Sequence, residues 1–451
     1  MIKKIFLFSV IISQLTVSCS GNDESDSTSE GSLTEQIANI VKQPYSKLTP
    51  AEQKVKLEAE ANEMLVQMNK SKTSGAIEAI QNLGNLLSIN SVDIFNGKND
   101  NEIEDILNVS GVYGIYTWNN STKIWAKTAS TTELKFVFPA KATQTANNAT
   151  LSSKSNSSNI KIKLEDSYNW QSGTTINDEF YLPTSVEAIL TIDNAQAATF
   201  VTNAKYTGTI ETPDESSFKM VLNDGYTYEI TGSKKATQNT AKSSFTYNGK
   251  NLVSFTAGSS ADIDALIEDE DLIQYQGKAN GLVRIMDNFI IVAEMDIATQ
   301  TKDEEALEKS LVYPSYPDYQ SPKADYKAYY TAENTYNKKY SEANVINSNK
   351  NAKLILVSKK DGTKIADVVY RSEKGYSYNN ELPVWVKNSY YTNGGYWSYS
   401  GNGETITIQY YDEVLYLKFN DSTEVAMSTY FSEGFDKLET KFEDFLKAFE
   451  R

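Results

Sequence analysis

Apolar residues along this chain keep two rhythms, one helical and one alternating. Near the start, Leu33, Ile37, Ile40 and Val41 recur at helical spacing behind Ser32-Leu33-Thr34-Glu35. That opening reads as a capping box, a Ser with Glu three places on. Thr49-Pro50-Ala51-Glu52 is a second box, with Pro50 suited to a first helical position. Leu57, Ala61, Met64, Leu65 and Met68 then mark one apolar face, and Ile77, Ile80, Leu83 and Leu87 a third helix. Each helix carries a single apolar stripe, so residues 32–107 read as a helical module that packs on something else.

From Gly111 the period drops to two. "GVYGIYTWNNSTKIWAK" predicts two strands, and "ELKFVFPA" continues them as a meander with Leu134, Phe136 and Phe138 on one face. Residues 141–158 hold mostly Ala, Thr, Asn and Ser and read as a long loop. Alternation resumes at "NIKIKLE" and runs to "GLVRIMDNFIIVAEMDI", broken by "ADIDALIEDEDL", which reads as a short helix. A hairpin unit recurs in "SFTYNGKNLVSF", "LILVSKKDGTKIADVVY" and "LYLKFNDSTEVAMSTYF". Asn248-Gly249 and Asp361-Gly362 predict two-residue turns, which require φ > 0 at both central positions. Beyond 431 the helical period returns: Phe435, Leu438, Phe442, Phe445, Leu446 and Phe449 make an aromatic seam.

The predicted fold class is α+β: an N-terminal helical bundle, a large antiparallel β-meander (an open sheet or half-barrel) and a C-terminal amphipathic helix. The expected divisions are 1–18 a signal peptide, 19–31 a tether, 32–107 the helical module and 108–300 the β-meander. A Tyr-rich excursion with a helix follows over 301–351, then β-hairpins over 352–431 and the C-terminal helix over 432–451.

The first residues speak of place. Met1-Ile2-Lys3-Lys4 precedes an apolar run from Ile5 to Val17, then Ser18 and Cys19, the single cysteine. A basic start, a short apolar run and a small residue describe a secretory signal, and the run is too short to span a bilayer. "TVSC" resembles the lipobox of bacterial lipoproteins, in which the cysteine is lipidated and becomes the new N-terminus; Leu15 stands one place before the usual leucine. Residues 20–31, "SGNDESDSTSEG", follow as an acidic, polar tether. With "GVYGIYTWNN" and the ending "GFDKLETKFEDFLKAF", these features resemble uncharacterised surface lipoproteins of Bacteroidetes. The resemblance covers both ends better than the middle. It implies a lipid anchor on Cys19 in the outer membrane, facing the cell exterior, with the periplasmic face as the alternative. It transfers no catalytic residue.

Composition then narrows the chemistry. The net charge is −16, and removing Lys3 and Lys4 with the leader makes it −18. Nucleic-acid binding needs clustered cations, so nucleic acid is not an expected partner. One cysteine allows no internal disulfide. With no histidine in 451 residues, neither a Ser-His-Asp nor a Cys-His unit can form. Asp262, Asp264, Glu268, Asp269, Glu270 and Asp271 lack the spacing and glycine of an EF-hand, so no metal is expected. No glycine run has a phosphate loop's strand-loop-helix context. The expected cofactor list is empty apart from covalent lipid.

Two aromatic clusters remain as candidate binding residues. In the first, Tyr313, Tyr316 and Tyr319 recur every third residue beside Pro314 and Pro317, a spacing that lines one edge of a polyproline II helix. Tyr326, Tyr330 and Tyr340, with Tyr336 close by, then fit one helix face. The second holds Tyr391, Tyr396, Trp397 and Tyr399 around an Asn393-Gly394-Gly395 turn, Tyr396 and Trp397 on opposite faces. Either cluster reads as an aromatic platform for a glycan or protein partner, or as rings packed on the sheet. The expected function is that of a non-enzymatic, membrane-anchored binding protein. A carrier of lipid or another apolar ligand in a concave sheet is one alternative, and a carboxylate-dependent hydrolase with two close acids in a cleft is another.

Overall fold

The computed structural model describes residues 33–71, 73–92, 94, 103–235, 239–263, 265, 277–399 and 401–431. Cys19, the tether, the Ser32 cap, most of the acidic stretch 262–272 and the expected helix over 432–451 lie outside the described residues.

Four helices come first: α1 (Leu33–Val41), α2 (Pro50–Ser71), α3 (Gly75–Ile89) and α4 (Ile103–Asn108). The second capping box forms as expected. Thr49 N–H donates to Glu52 Oε2 at 2.8 Å, and Glu52 N–H donates to Thr49 Oγ1 at 3.3 Å.

Strands follow as β1 (Gly114–Asn119), β2 (Ile124–Thr128), β3 (Leu134–Phe138), β4 (Ala149–Asn169), β5 (Thr174–Ile192) and β6 (Ala195–Lys205). Next come β7 (Glu215–Leu222), β8 (Tyr226–Ser233), β9 (Asn239–Tyr247), β10 (Lys250–Ser259), β11 (Lys278–Ile285) and β12 (Phe289–Asp296). Two helices, α5 (Ile297–Ser310) and α6 (Tyr326–Asn351), precede β13 (Ala352–Ser358), β14 (Thr363–Glu381), β15 (Val384–Lys387), β16 (Gly395–Ser398), β17 (Thr405–Lys418) and β18 (Glu424–Ala426). The short helix α7 (Met427–Tyr430) closes the described chain. Sixteen of these strands form one open sheet in the order β18-β17-β14-β13-β12-β11-β10-β9-β8-β7-β6-β5-β4-β3-β1-β2, while β15 and β16 pair apart. The α+β class stands, and the sheet is open.

The helices divide between the two faces of this sheet and form no free-standing bundle. Successive strand residues point to opposite faces. Leu282, Val292 and Ile355 sit side by side in register and pack with Leu33, Ile37 and Ile40 of α1. One residue along, Ile291, Leu356 and Ala366 form the next row on the other face, with Leu57 of α2. Met64, Met68 and α3 cover that same face over Tyr116, Phe136 and Leu190. The chain changes face between α1 and α2 along β14, where pairing with β17 begins only at Asp367. There Ser46 N–H donates to Lys364 O at 2.8 Å and Lys364 N–H donates to Pro44 O at 2.9 Å. The Tyr45 hydroxyl donates to Asp367, and Lys364 Nζ stands 4.1 Å over the Tyr45 ring.

Four expectations change. β3 pairs parallel with β1, so it does not continue a meander off β2; this sets Phe136 beside Tyr116, rings stacked at 5.1 Å. Residues 149–158 are strand, not loop: 149–153 pair with both β3 and β5 and bury Ala149, Leu151 and Ser153 despite their polar neighbours, and 154–157 continue along β5. Asn248-Gly249 forms its two-residue turn with φ of 49° and 75°, but Asp361-Gly362 does not. A bulge places Ile365 opposite no partner, pairing resumes at Ser358–Thr363, and only Gly362 of the four-residue loop has positive φ, at 62°. The meander also ends at Asp296 rather than 300, because the Asp296 carboxylate caps α5 by accepting from Thr299 N–H at 3.1 Å.

Candidate functional site

β14 and β17 run on past the end of β13 as a two-stranded ribbon, with the β15–β16 hairpin inserted between them. Helix α6 is fastened to this ribbon by asparagines. Asn334 Nδ2 donates to Thr407 O at 2.8 Å, and its Oδ1 accepts from Gln409 N–H at 2.8 Å. Asn337 Nδ2 donates to Gln409 O at 3.2 Å, and Asn349 makes the same two-way bond with Tyr370. These amides stand in for a neighbouring strand on backbone groups that would otherwise be bare.

Asp325 caps α6 by accepting from Ala328 N–H at 2.8 Å, which fixes where Tyr326 begins the helix. Tyr326, Tyr329, Glu333 and Tyr336 then lie three or four residues apart on one side. The excursion packs its tyrosines there. Tyr313 Oη donates to Glu333 Oε1 at 2.5 Å and meets the Tyr336 ring edge-on at 4.9 Å. Tyr316 meets Tyr326 at 5.7 Å and Tyr329 at 5.0 Å. Tyr319, two-thirds exposed, makes no ring contact among the described residues.

The hairpin joins the same assembly. Trp397 sits edge-on to Tyr326 at 4.9 Å and to Trp385 at 5.5 Å, and its Nε1–H donates to Ser321 O at 3.0 Å. Asn393 Nδ2 donates to Gln320 O at 2.8 Å. The hairpin is tight: a Cβ on Gly395 would lie 2.2 Å from Val386 O, and Gly394 has φ of 86°. Tyr391 tilts against Tyr396 at 5.3 Å on the opposite side from Trp397. Burial pushes the Tyr399 phenol up, and its bond with Tyr316 pushes it further. Burial also raises Tyr313, reinforced by Glu333. These phenols stay neutral across the ordinary pH range.

The two sequence clusters are therefore one surface, not two. Tyr313, Tyr316, Tyr319, Tyr391, Tyr396 and Tyr399 are exposed, whereas Tyr326 is buried and Tyr330 and Trp397 are half-buried as its foundation. Tyr330, one turn on from Tyr326, interacts with Tyr316, Asn380 and Tyr399. Pattern reading missed Tyr329. It also missed Tyr376, Tyr378 and Tyr410, whose signal was the alternation in "GYSYNN" opposite "IQYY".

A groove of about 640 Å³ opens elsewhere, between the start of α1, the ends of β11–β13 and the last turn of α6. Charged Lys278, Glu294, Asp296 and Lys350 line it together with apolar Met295, Leu354, Val368 and Val369, so its walls are mixed. Burial drives the Asp296 carboxyl upward, but the bonds from Thr299 and Lys278 outweigh it and hold the group below its usual range. Asp296 is thus an ionised helix cap paired with Lys278 at 3.2 Å. Among the described residues no three acidic side chains gather as a metal site, and no helix is long and apolar enough to cross a membrane. No family model, curated protein or solved structure matches the chain, so its own residues carry the functional argument.

Proposed function

We propose that this chain is a non-enzymatic binding protein, lipid-anchored through Cys19 at the outer membrane and facing outward, that engages a glycan or protein partner through its tyrosine surface. One observation carries the reading. Aromatic clusters about 70 residues apart in sequence converge through Tyr326–Trp397 into a single surface, its outer rings exposed and its inner rings locked. Rings held by edge contacts and backbone bonds lose little freedom on binding, which favours recognition. A neutral surface of this kind needs no acid, base or nucleophile, in keeping with a chain that has no histidine. The anchor is supported by Cys19 behind a basic and apolar leader.

The test uses the full chain in detergent on glycan and peptide arrays. A Tyr316→Ala/Tyr399→Ala double variant that keeps its circular dichroism spectrum should lose the ligand; undiminished binding refutes the reading. Cys19→Ala should move the protein from the membrane to the soluble fraction. Retention in the membrane contradicts the anchor.

A further inference from the structure

We infer that Tyr376, Tyr378 and Tyr410 form a stacking site for a neutral saccharide chain. This rests on the binding reading above and names the ligand class and the subsite.

The geometry is specific. The three ring centroids lie 5.9, 6.4 and 6.4 Å apart, and the ring planes are within 19–25° of parallel. A column of three parallel rings would put its outer pair at twice the neighbour distance. Three near-equal distances mean instead that the rings form a triangular cluster of near-parallel planes, with no ring shut between the other two. Tyr378 and Tyr410 are 38% and 40% exposed, as expected of rings with one face covered, and Tyr376 is 69% exposed. Ile408, paired with Tyr378, is fully buried on the same face.

The facet is built, not accidental. Register shifts between Lys374 and Ser377, so Gly375 and Tyr376 together oppose Tyr410. A Cβ at position 375 would fall 2.3 Å from Asp412 Oδ2, so any larger residue there must displace the Asp412 side chain. Gln409 ties the bulge down: its Nε2 donates to Gly375 O at 3.0 Å, Tyr376 O at 3.3 Å and Tyr410 O at 2.7 Å. Its own backbone is held by Asn334 and Asn337. The rings are thus pre-set on a rigid strand pair beside α6.

The chemistry of the facet selects the ligand. Alternation places the exposed Asp412 on the same face as the rings, so the aromatic patch has a hydrogen-bonding edge. A pyranose has the complementary form, with C–H groups on its faces and hydroxyls around its edge. A nucleobase would also stack, but its phosphates would meet a chain of net charge −16. A protein hot spot is a pocket ringed by dry contacts, and this facet is shallow and polar-edged.

Neutral linear hexasaccharides of glucose, mannose, xylose and galactose, in α and β linkages, and a random-peptide array are the probes for the full chain in detergent. At least one saccharide should bind. Tyr376→Ala and Tyr410→Ala should each weaken it tenfold or more, while Tyr376→Phe, which keeps the ring face and reports on folding, stays within threefold. Saccharide binding that depends on Tyr316 and Tyr399 but not on Tyr376 or Tyr410 overturns the subsite and leaves the binding-surface reading standing. Binding of peptides alone overturns the saccharide class. Binding of no probe overturns both.

Discussion

Trp397 is the joint between the excursion and the hairpin, and truncating it should loosen the whole aromatic surface. Trp397→Ala removes two edge-on ring contacts, to Tyr326 and Trp385, each worth about 1 kcal/mol. It also removes the Nε1–H bond to Ser321 O, worth about 1 kcal/mol net. The sum is roughly 3 kcal/mol, which raises a local opening equilibrium about a hundredfold. The loss should be local, because Trp397 belongs to none of the main core clusters. Hydrogen exchange resolved by mass spectrometry should show residues 312–325 and 384–398 exchanging about a hundredfold faster, with β1–β12 unchanged. Trp397→Phe keeps a ring edge and loses the bond to Ser321, so its effect should be nearer tenfold. Unchanged protection of 312–325 in the alanine variant, or equal effects of the two variants, would refute the reasoning.

Asn334→Ala removes two bonds that cover the backbone of Thr407 and Gln409; a loss of about 1.5 kcal/mol should speed exchange of the Gln409 amide about tenfold, as hydrogen-exchange NMR can read. Thr49→Ala should cost about 1 kcal/mol in urea unfolding through loss of the α2 cap, and Thr49→Ser should restore most of it. Burial raises Tyr206 to about 12, and Tyr45 and Tyr226 to the same value with help from Asp367 and Tyr247 respectively. Folding therefore favours their protonated forms. That stability is complete below about pH 10, the unfolded value, and is lost as pH rises through about 12. Tyrosinate absorbance and circular dichroism should change together between these limits; ionisation of all tyrosines near pH 10 in a still-folded protein would contradict it.

Much of the architecture was legible because it follows from local physics. The Thr49–Glu52 box, the Asn248-Gly249 turn and the alternation of β6 through β12 need only neighbours in sequence. Strand 149–158 was not legible, since its polar residues become strand only by pairing with the long β5, and with β3 over 149–153. Nor was the parallel seat of β3, which depends on matching Phe136 to Tyr116 rather than on distance along the chain.

The sequence by itself determined the class of fold, the helical and alternating stretches, the absence of histidine chemistry and the presence of two tyrosine clusters. These are properties of composition and period, which a chain carries whether folded or not. Only the tertiary structure decided which rings face solvent and which support them. It brought Tyr326 against Trp397, joined Tyr330 to Asn380 and Tyr399, and assembled Tyr376, Tyr378 and Tyr410 across a bulge. Each depends on strand register and on where α6 docks, and register is set by long-range pairing that no local pattern of residues specifies.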